Sequence, residues 1–516
     1  RIFISPDETA NFYFATEFVE NSKLYVFEPL NQILGDVIHP RSVFSVDGRL
    51  LPVSFVGLPV LYGLVGKIGG VGIMVFITPF VAALALFAWR GTVERIFNRK
   101  IAFVSTVLLA FHPAWWYYTA RGMMHNALFM SLVVFAAWFL VARPFRSRWA
   151  DLDLVLSGLL LGLGLFVRTA EVFWLLPVAI LILIMLGKRI HWRGALLFGL
   201  SVLIALTPMF FLNRSMYGGP LEFGYMAQNT TGVTSVSLSE QDVLTDITPN
   251  EETSVLPFDF NLRSILRHTL HYGMELFWWF TILVLIGIPL AIRGLNGKRK
   301  PSEESKKYLQ WTYHGVFFVA GALLAGLYGS WTFTDNPDPN TITIANSYVR
   351  YWLPVFLLTT VYAATVLVWL KDRMRTKLSG TLIVAAALIL FAGLGIRGTF
   401  LAAEDGLVEV RSTLIRSHEI KTSVLNLTEP DAVIVVDRAD KIFFPERKVM
   451  YPLRSDKTYE LMPRIVLRNP LYYYGVTFPE TDVEYLNTKK LAELGLQIEL
   501  IETYDEESLY RITQAL

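Results

Sequence analysis

Cysteine is absent from all 516 residues, which excludes disulfides, thiolate metal sites and cysteine nucleophiles together. Charge is scarce: Asp, Glu, Lys and Arg make up 17%, where soluble domains carry about a quarter. No internal repeat is visible, which argues against transporter folds built from duplicated halves. The net charge of +2 carries little information, because in such a chain the distribution of charge matters more than its sum. No nucleic-acid partner is expected.

What fills the chain is apolar. Hydrophobic residues make up 53% and aromatic residues 14%, and runs of about 20 apolar residues recur, long enough to cross a hydrocarbon core about 30 Å thick. This pattern predicts a mainly α, polytopic transmembrane helix bundle in a cell membrane. Ten spans are expected, at 71–89, 101–119, 123–142, 152–168, 172–187, 194–212, 275–292, 311–330, 351–370 and 379–397. Residues 1–70 mix charges, prolines and aromatics and are read as a first outer loop. It holds an amphipathic helix near 6–21 and an interfacial apolar segment at 51–68. From 401 to 516 the composition is that of a soluble α/β domain, with strand runs at Val433-Ile434-Val435-Val436 and Val449-Met450-Tyr451 and a terminal pair near 497–512.

The loops at 90–100, 143–150, 188–193, 293–307 and 371–377 are basic and are every second connection of the 71–400 bundle. The positive-inside rule puts all five in the cytoplasm. The outer loop 213–274, which is mainly acidic, then lies outside together with 1–70, 331–350 and the C-terminal domain. A chain that starts outside implies one further helix upstream of Arg1, and about eleven spans in all.

Ser5-Pro6-Asp7-Glu8 is the acidic pair on which a function can be hung. Ser at N-cap, Pro at the first helical position and Glu at N3 form a capping box, which accounts for three of the four residues. Asp7 is then either a complement to the helix dipole or a spare carboxylate available as a base. Cations expected on the outer side run against the charge bias. Arg350, beside Tyr351, is an interfacial anchor or a phosphate ligand; Arg168 and Glu171 are an ion pair stapling a hairpin or part of a site; Arg121 is similarly placed. His112 and His125 fall at outer helix ends, as interfacial histidines or, with a carboxylate, as metal ligands. Belts of aromatic side chains explain Trp115, Trp116, Trp278 and Trp279 without a site.

Several stretches in order are similar to the GT-C superfamily of polyprenyl-phosphate-sugar transferases, which includes protein O-mannosyltransferases and the aminoarabinose transferase of lipid A. They are the acidic pair at Asp7 and Glu8, Val46-Asp47-Gly48-Arg49 followed by Pro52 and Gly57-Leu58-Pro59, the run from Asn213 through Tyr217-Gly218-Gly219-Pro220 to Gly224-Tyr225, and Arg350-Tyr351-Trp352-Leu353-Pro354. His39-Pro40 resembles a His-Pro pair of the protein mannosyltransferases. The likeness covers about residues 5–360.

The resemblance implies a GT-C-like bundle and an inverting glycosyltransferase. It would move a hexose or pentose from a polyprenyl-phosphate carrier to a hydroxyl of an extracytoplasmic glycan, lipid or protein. Asp7 would be the base with Glu8 as cap or second carboxylate. Arg350, Arg168, Tyr351 and Arg121 would bind the donor phosphate, and Glu171, His39, His112, His125 and Tyr225 would line the cavity. No cofactor is expected. Members of the family often carry an acidic residue near the start of the span holding His125, and none is found here, which speaks against a divalent metal and keeps an inactive scaffold open. The competing class is a lipid-linked sugar flippase or solute transporter. Such proteins place charges at mid-membrane, whereas here the apolar cores are nearly free of them.

Overall fold

The structure, a computed structural model, describes residues 1–142, 149–187, 191–230, 260–295, 304–331, 333, 341–453 and 455–515. The chain divides into two compact units: Arg1–Met74, Phe210–Leu238 and Val410–Leu516 form one, and Val75–Met209 with Ser239–Glu409 form the other. Most of the outer acidic residues of the 213–274 loop, and the basic residues at 143–148, 188–190 and 298–300, lie outside the described residues.

The first unit opens with α1 (Pro6–Asn21), capped by Ser5, whose hydroxyl accepts from the Asp7 N–H. Strand β1 (Val26–Phe27), helix α2 (Pro29–Leu34) and the hairpin β2 (Val43–Val46) and β3 (Arg49–Pro52) follow. The hairpin turns on Asp47 and Gly48, both at positive φ (51° and 77°), as a two-residue turn matched to strand twist requires. Asp36 anchors it by accepting from the N–H groups of Asp47 and Gly48 (3.0 and 2.8 Å) and from the Ser45 hydroxyl. Helix α3 (Gly57–Gly69) lies against α1, and Gly63 permits the approach: a Cβ there would stand 3.2 Å from the Ala15 carbonyl oxygen.

The second unit is a helix bundle. In chain order it contains α4 (Ile77–Ile96), α5 (Arg99–Ala110), α6 (Pro113–Ala120), α7 (His125–Ala142), α8 (Ala150–Val167), α9 (Val172–Leu186) and most of α10 (Trp192–Tyr217). The end of α10 and the short α11 (Gly224–Thr230) belong to the first unit. The bundle resumes with α12 (Leu262–His268), α13 (Trp278–Leu295), α14 (Glu304–Gly329), α15 (Ser347–Tyr351), α16 (Leu353–Arg373) and α17 (Lys377–Phe400).

Eight described helices are long and apolar enough to cross a membrane, or nine if the pair Pro113–Ala120 and His125–Val141, bent by 114°, is one span. This is a multi-pass membrane protein. Ten spans were expected, and the difference lies at 101–119. There α5 ends at Ala110, and His112-Pro113 starts a new helix where proline is tolerated because its missing N–H would be unpaired anyway.

Small residues set the packing, as is usual where lipid removes any hydrophobic drive between helices. A Cβ on Gly287 of α13 would sit 2.2 Å from the Tyr362 carbonyl of α16, and one on Gly158 of α8 2.4 Å from the Phe198 carbonyl of α10. Helix α16 is the most buried of these spans. Its Thr360 meets Ser105 of α5 (2.8 Å), which accepts from Trp89 of α4 (3.0 Å), so three helices share one buried polar chain.

The C-terminal segment returns to the first unit. Helix α18 (Leu407–Leu427) leads into β4 (Val433–Val436), α19 (Asp440–Phe443), β5 (Lys448–Met450), α20 (Asp456–Val466), β6 (Leu471–Val476), β7 (Leu496–Tyr504) and β8 (Glu507–Gln514). The sheet runs β5-β4-β6-β8-β7, parallel among the first three strands and antiparallel across the last two pairings.

Alternation along β4 sends Val433 and Val435 to one face and Ile434 and Val436 to the other. The N-terminal segment covers both. Leu30, Leu34 and Ile38 join α20 on the first face, and Ala10, Phe14, Val43 and Leu50 join α18 on the second. Residues 1–50 are thus part of the core of the C-terminal sheet, which explains why the two ends of the chain form one body.

Candidate functional site

Each unit carries one polar cluster built around a residue singled out in the sequence. In the first unit Asp7 lies in the first turn of α1, half-buried, beside the buried Glu8. The Ser42 hydroxyl donates to Asp7 Oδ1 at 2.6 Å. Ser42 itself adopts a left-handed backbone, φ 62°. Its neighbour Arg41 is held from the far end of the chain: the Arg41 N–H and Nε donate to Asp440 Oδ2 and Oδ1 (2.7 and 2.9 Å), and Nη2 reaches Oδ1 at 2.6 Å. Asp440 is fully buried.

His39, in the same loop, is buried with Nδ1 3.1 Å from the Pro40 carbonyl oxygen and its ring edge-on to Tyr451. Burial pushes its pKa below the ordinary histidine value, so the neutral ring is the form the fold accommodates. Tyr225, on α11, is partly exposed and sits among Phe55 and Phe223.

In the second unit the arginines gather around a tyrosine. Arg168, between α8 and α9, donates from Nε to Glu171 Oε1 at 2.5 Å, and its guanidinium carbon stands 4.9 Å from the centre of the Tyr351 ring. Arg350 stands 5.0 Å from the same ring centre, and its Nη2 donates to the Tyr351 hydroxyl at 3.3 Å. Two guanidinium groups therefore lean on one phenol, each drawn by the negative face of the ring. Tyr328 stacks on Tyr351 (4.3 Å between centres, planes 11° apart) and donates to Glu171 at 3.2 Å. Trp174 donates its indole N–H to the other carboxylate oxygen. Glu171 is thus fully engaged in a buried setting, where an unpartnered carboxylate would be costly.

The neighbouring turn is tied to the same helix end. The Tyr118 hydroxyl donates to the carbonyls of Ile344 and Asn346 (3.0 Å each), just ahead of α15, while Arg350 Nη1 lies 3.6 Å from Met124 Sδ. Arg121 rests over Tyr117 and Tyr118, 5.7 and 5.9 Å from their ring centres.

His112 and His125 are both buried at helix starts. His112 caps α6 through Nδ1, which accepts from the Ala114 N–H at 3.2 Å, and is enclosed by Phe277, Phe280 and Phe356. Among the described residues no three His, Asp or Glu side chains are grouped to hold a metal ion. An apolar cavity of about 210 Å³, lined by Phe277, Phe280, Phe356 and Trp352, lies between α13, α14 and α16.

Residues 58–211 match the family described as dolichyl-phosphate-mannose-protein mannosyltransferase. No curated protein matches the sequence. Among solved structures, ArnT from Cupriavidus metallidurans bound to undecaprenyl phosphate superposes with a TM-score of 0.57 at 11% identity, over 99% of this chain and 94% of that one. The archaeal oligosaccharyltransferase AglB from Archaeoglobus fulgidus, in complex with an inhibitory peptide and a dolichol-phosphate, gives a TM-score of 0.53 at 12% identity, over 94% of this chain and 66% of that one.

The fold is that of ArnT and AglB. Within this fold, the structure brings together Arg168, Glu171, Tyr351 and Arg350 in one unit and places Asp7, Glu8 and His39 in the other. Sequence reasoning missed Arg41 and Ser42. Arg41 is a cation on a loop expected outside, so the criterion that flagged Arg350 applies to it equally. Asp440 and Tyr328 carry no local signal, because their partners are 399 and 157 residues away.

Proposed function

We propose that this protein is a membrane glycosyltransferase that takes a sugar from a polyprenyl-phosphate carrier and transfers it to a hydroxyl acceptor. The observation that carries the reading is Asp7, a half-buried carboxylate oriented by the Ser42 hydroxyl on a GT-C fold. The neighbours were solved with undecaprenyl phosphate and with a dolichol-phosphate, which supports a lipid phosphate as the group to be bound.

In the proposed reaction the acceptor oxygen attacks the anomeric carbon and its proton passes to the Asp7 carboxylate. The bond from that carbon to the phosphate oxygen breaks, and the electron pair leaves with the carrier phosphate. That leaving group is already acidic, so it needs cations more than a proton donor. Arg350 and Arg168 are the candidates for that role, each leaning on the Tyr351 ring. A single displacement of this kind inverts the anomeric centre. The basic loops support a site on the outer face of a cell membrane, with the C-terminal sheet outside.

The test is turnover of a labelled polyprenyl-phosphate sugar by membranes holding wild type or Asp7→Asn. Loss of a general base costs about 10²–10⁴ in rate, and turnover equal to wild type would remove Asp7 from the mechanism.

A further inference from the structure

The C-terminal domain of such an enzyme is naturally taken for an acceptor-binding appendage. Its contacts with the N-terminal segment suggest another task. The segment that leaves β4, residues 437–441, which runs into the first turn of α19, touches the chain on both sides of Asp7. Ahead of it, Lys441 Nζ donates to the Ile4 carbonyl at 2.5 Å, one residue before the N-cap of α1. Beyond it, Asp440 takes the Arg41 N–H, Nε and Nη2, and the Arg438 carbonyl takes Nη2 at 2.6 Å. Those bonds fix the backbone of Arg41, and Ser42 comes next.

Ser42 stands at φ 62°, a region a serine seldom enters unless its neighbours impose it. In that conformation its hydroxyl meets Asp7 at 2.6 Å, and its carbonyl accepts the Val53 N–H at 3.1 Å. The grip is rigid at its source, since β4 is buried on both faces and Asp440 is fully buried.

We propose that the C-terminal domain positions the candidate base: Asp440 locks Arg41, Arg41 sets Ser42, and Ser42 aims the Asp7 carboxylate. Asp440, Arg41 and Ser42 are positioning residues, none of which touches substrate. The inference rests on Asp7 being the base, and it assigns to residues 437–441 a role in turnover that acceptor recognition would not require.

The experiment measures kcat and the donor KM for full-length protein in membranes, with Ser42→Gly, Asp440→Asn and the two combined. Glycine suits the left-handed backbone better than serine, so Ser42→Gly removes a hydroxyl and keeps the fold. Each single change is expected to lower kcat roughly tenfold or more, as misplacement of a catalytic group does, with the donor KM unchanged. The combined variant should be no slower than the slower single one, because both act through the same hydroxyl.

Wild-type kcat in Ser42→Gly overturns the proposal, and so does a combined loss equal to the product of the two single losses. Tyr472→Phe removes a 2.7 Å bond to Glu429 elsewhere in the same sheet and should keep wild-type kcat. A similar loss there would trace the effect to general loosening and also overturn the proposal. An active Asp7→Asn protein removes the base itself. A dead Asp7→Asn beside fully active Ser42→Gly and Asp440→Asn removes only the positioning chain.

Discussion

The two polar clusters are built in opposite ways. Around Arg168 the ion pair is local: Glu171 is three residues away, and rings add support, Tyr351 beneath both guanidinium groups and Tyr328 stacked on it. Around Asp7 one line of support is remote, running through Ser42 and Arg41 to Asp440 across 399 residues of sequence. The arginine cluster sets two guanidinium groups against the Tyr351 ring and pairs one of them, that of Arg168, with Glu171. The aspartate cluster brings the Ser42 hydroxyl to the carboxylate and ties Arg41, the neighbour of Ser42, to Asp440. A phosphate ligand needs charge, whereas a base needs orientation toward the proton it takes.

This contrast can be broken by substitution. Asp440→Ala should have the largest effect on stability, because it strips three hydrogen bonds from Arg41 and the partner lost is fully buried: about 3 kcal/mol, read as a lower thermal midpoint of the purified protein. If the change were neutral, the remote pair would be ornamental and the contrast would collapse.

Glu171→Gln keeps the shape of the local pair and removes its charge. A loss of about 2 kcal/mol is expected, smaller than for Asp440→Ala because Tyr351 still faces the Arg168 guanidinium. Tyr351→Leu should cost about 1 kcal/mol through the two lost ring contacts, while Tyr351→Phe keeps the ring and stays near wild type. Equal losses in both would shift the credit from the ring face to the phenol hydroxyl.

The smallest expected effect is on pH. His39 has its pKa lowered in the folded state by burial, so the unfolded chain binds the proton more readily. Stability is therefore complete above the unfolded histidine value of about 6.5 and falls as pH drops below it. His39→Gln should flatten the thermal midpoint between about pH 7 and 5, and a wild type whose midpoint is flat over that range would deny the shift.

How far the sequence foretold these arrangements follows from the distances involved. Helix α1 was legible to the residue, because Ser5-Pro6 is a start signal with a local cause. The bundle was legible from apolar run lengths, except at Pro113, where a hydropathy window reads through a break that proline makes. Arg168 and Glu171 were visible as neighbours in the chain. The union of residues 1–50 with the C-terminal sheet was not, because Phe14, Val43 and Ile434 meet only after the whole bundle has intervened. The same separation hid Asp440, since nothing around it in sequence marks a carboxylate that will meet Arg41.

The most direct measurement sets binding beside turnover in one reconstituted preparation, with a labelled polyprenyl-phosphate sugar as donor. For a base acting after the donor is bound, Asp7→Asn should retain donor affinity within a few fold of wild type and lose about 10² or more in single-turnover rate, while Arg350→Gln should lose affinity. An Asp7→Asn protein that turns over at the wild-type rate, or one that fails only because it no longer binds the donor, would contradict the division of labour between the two clusters.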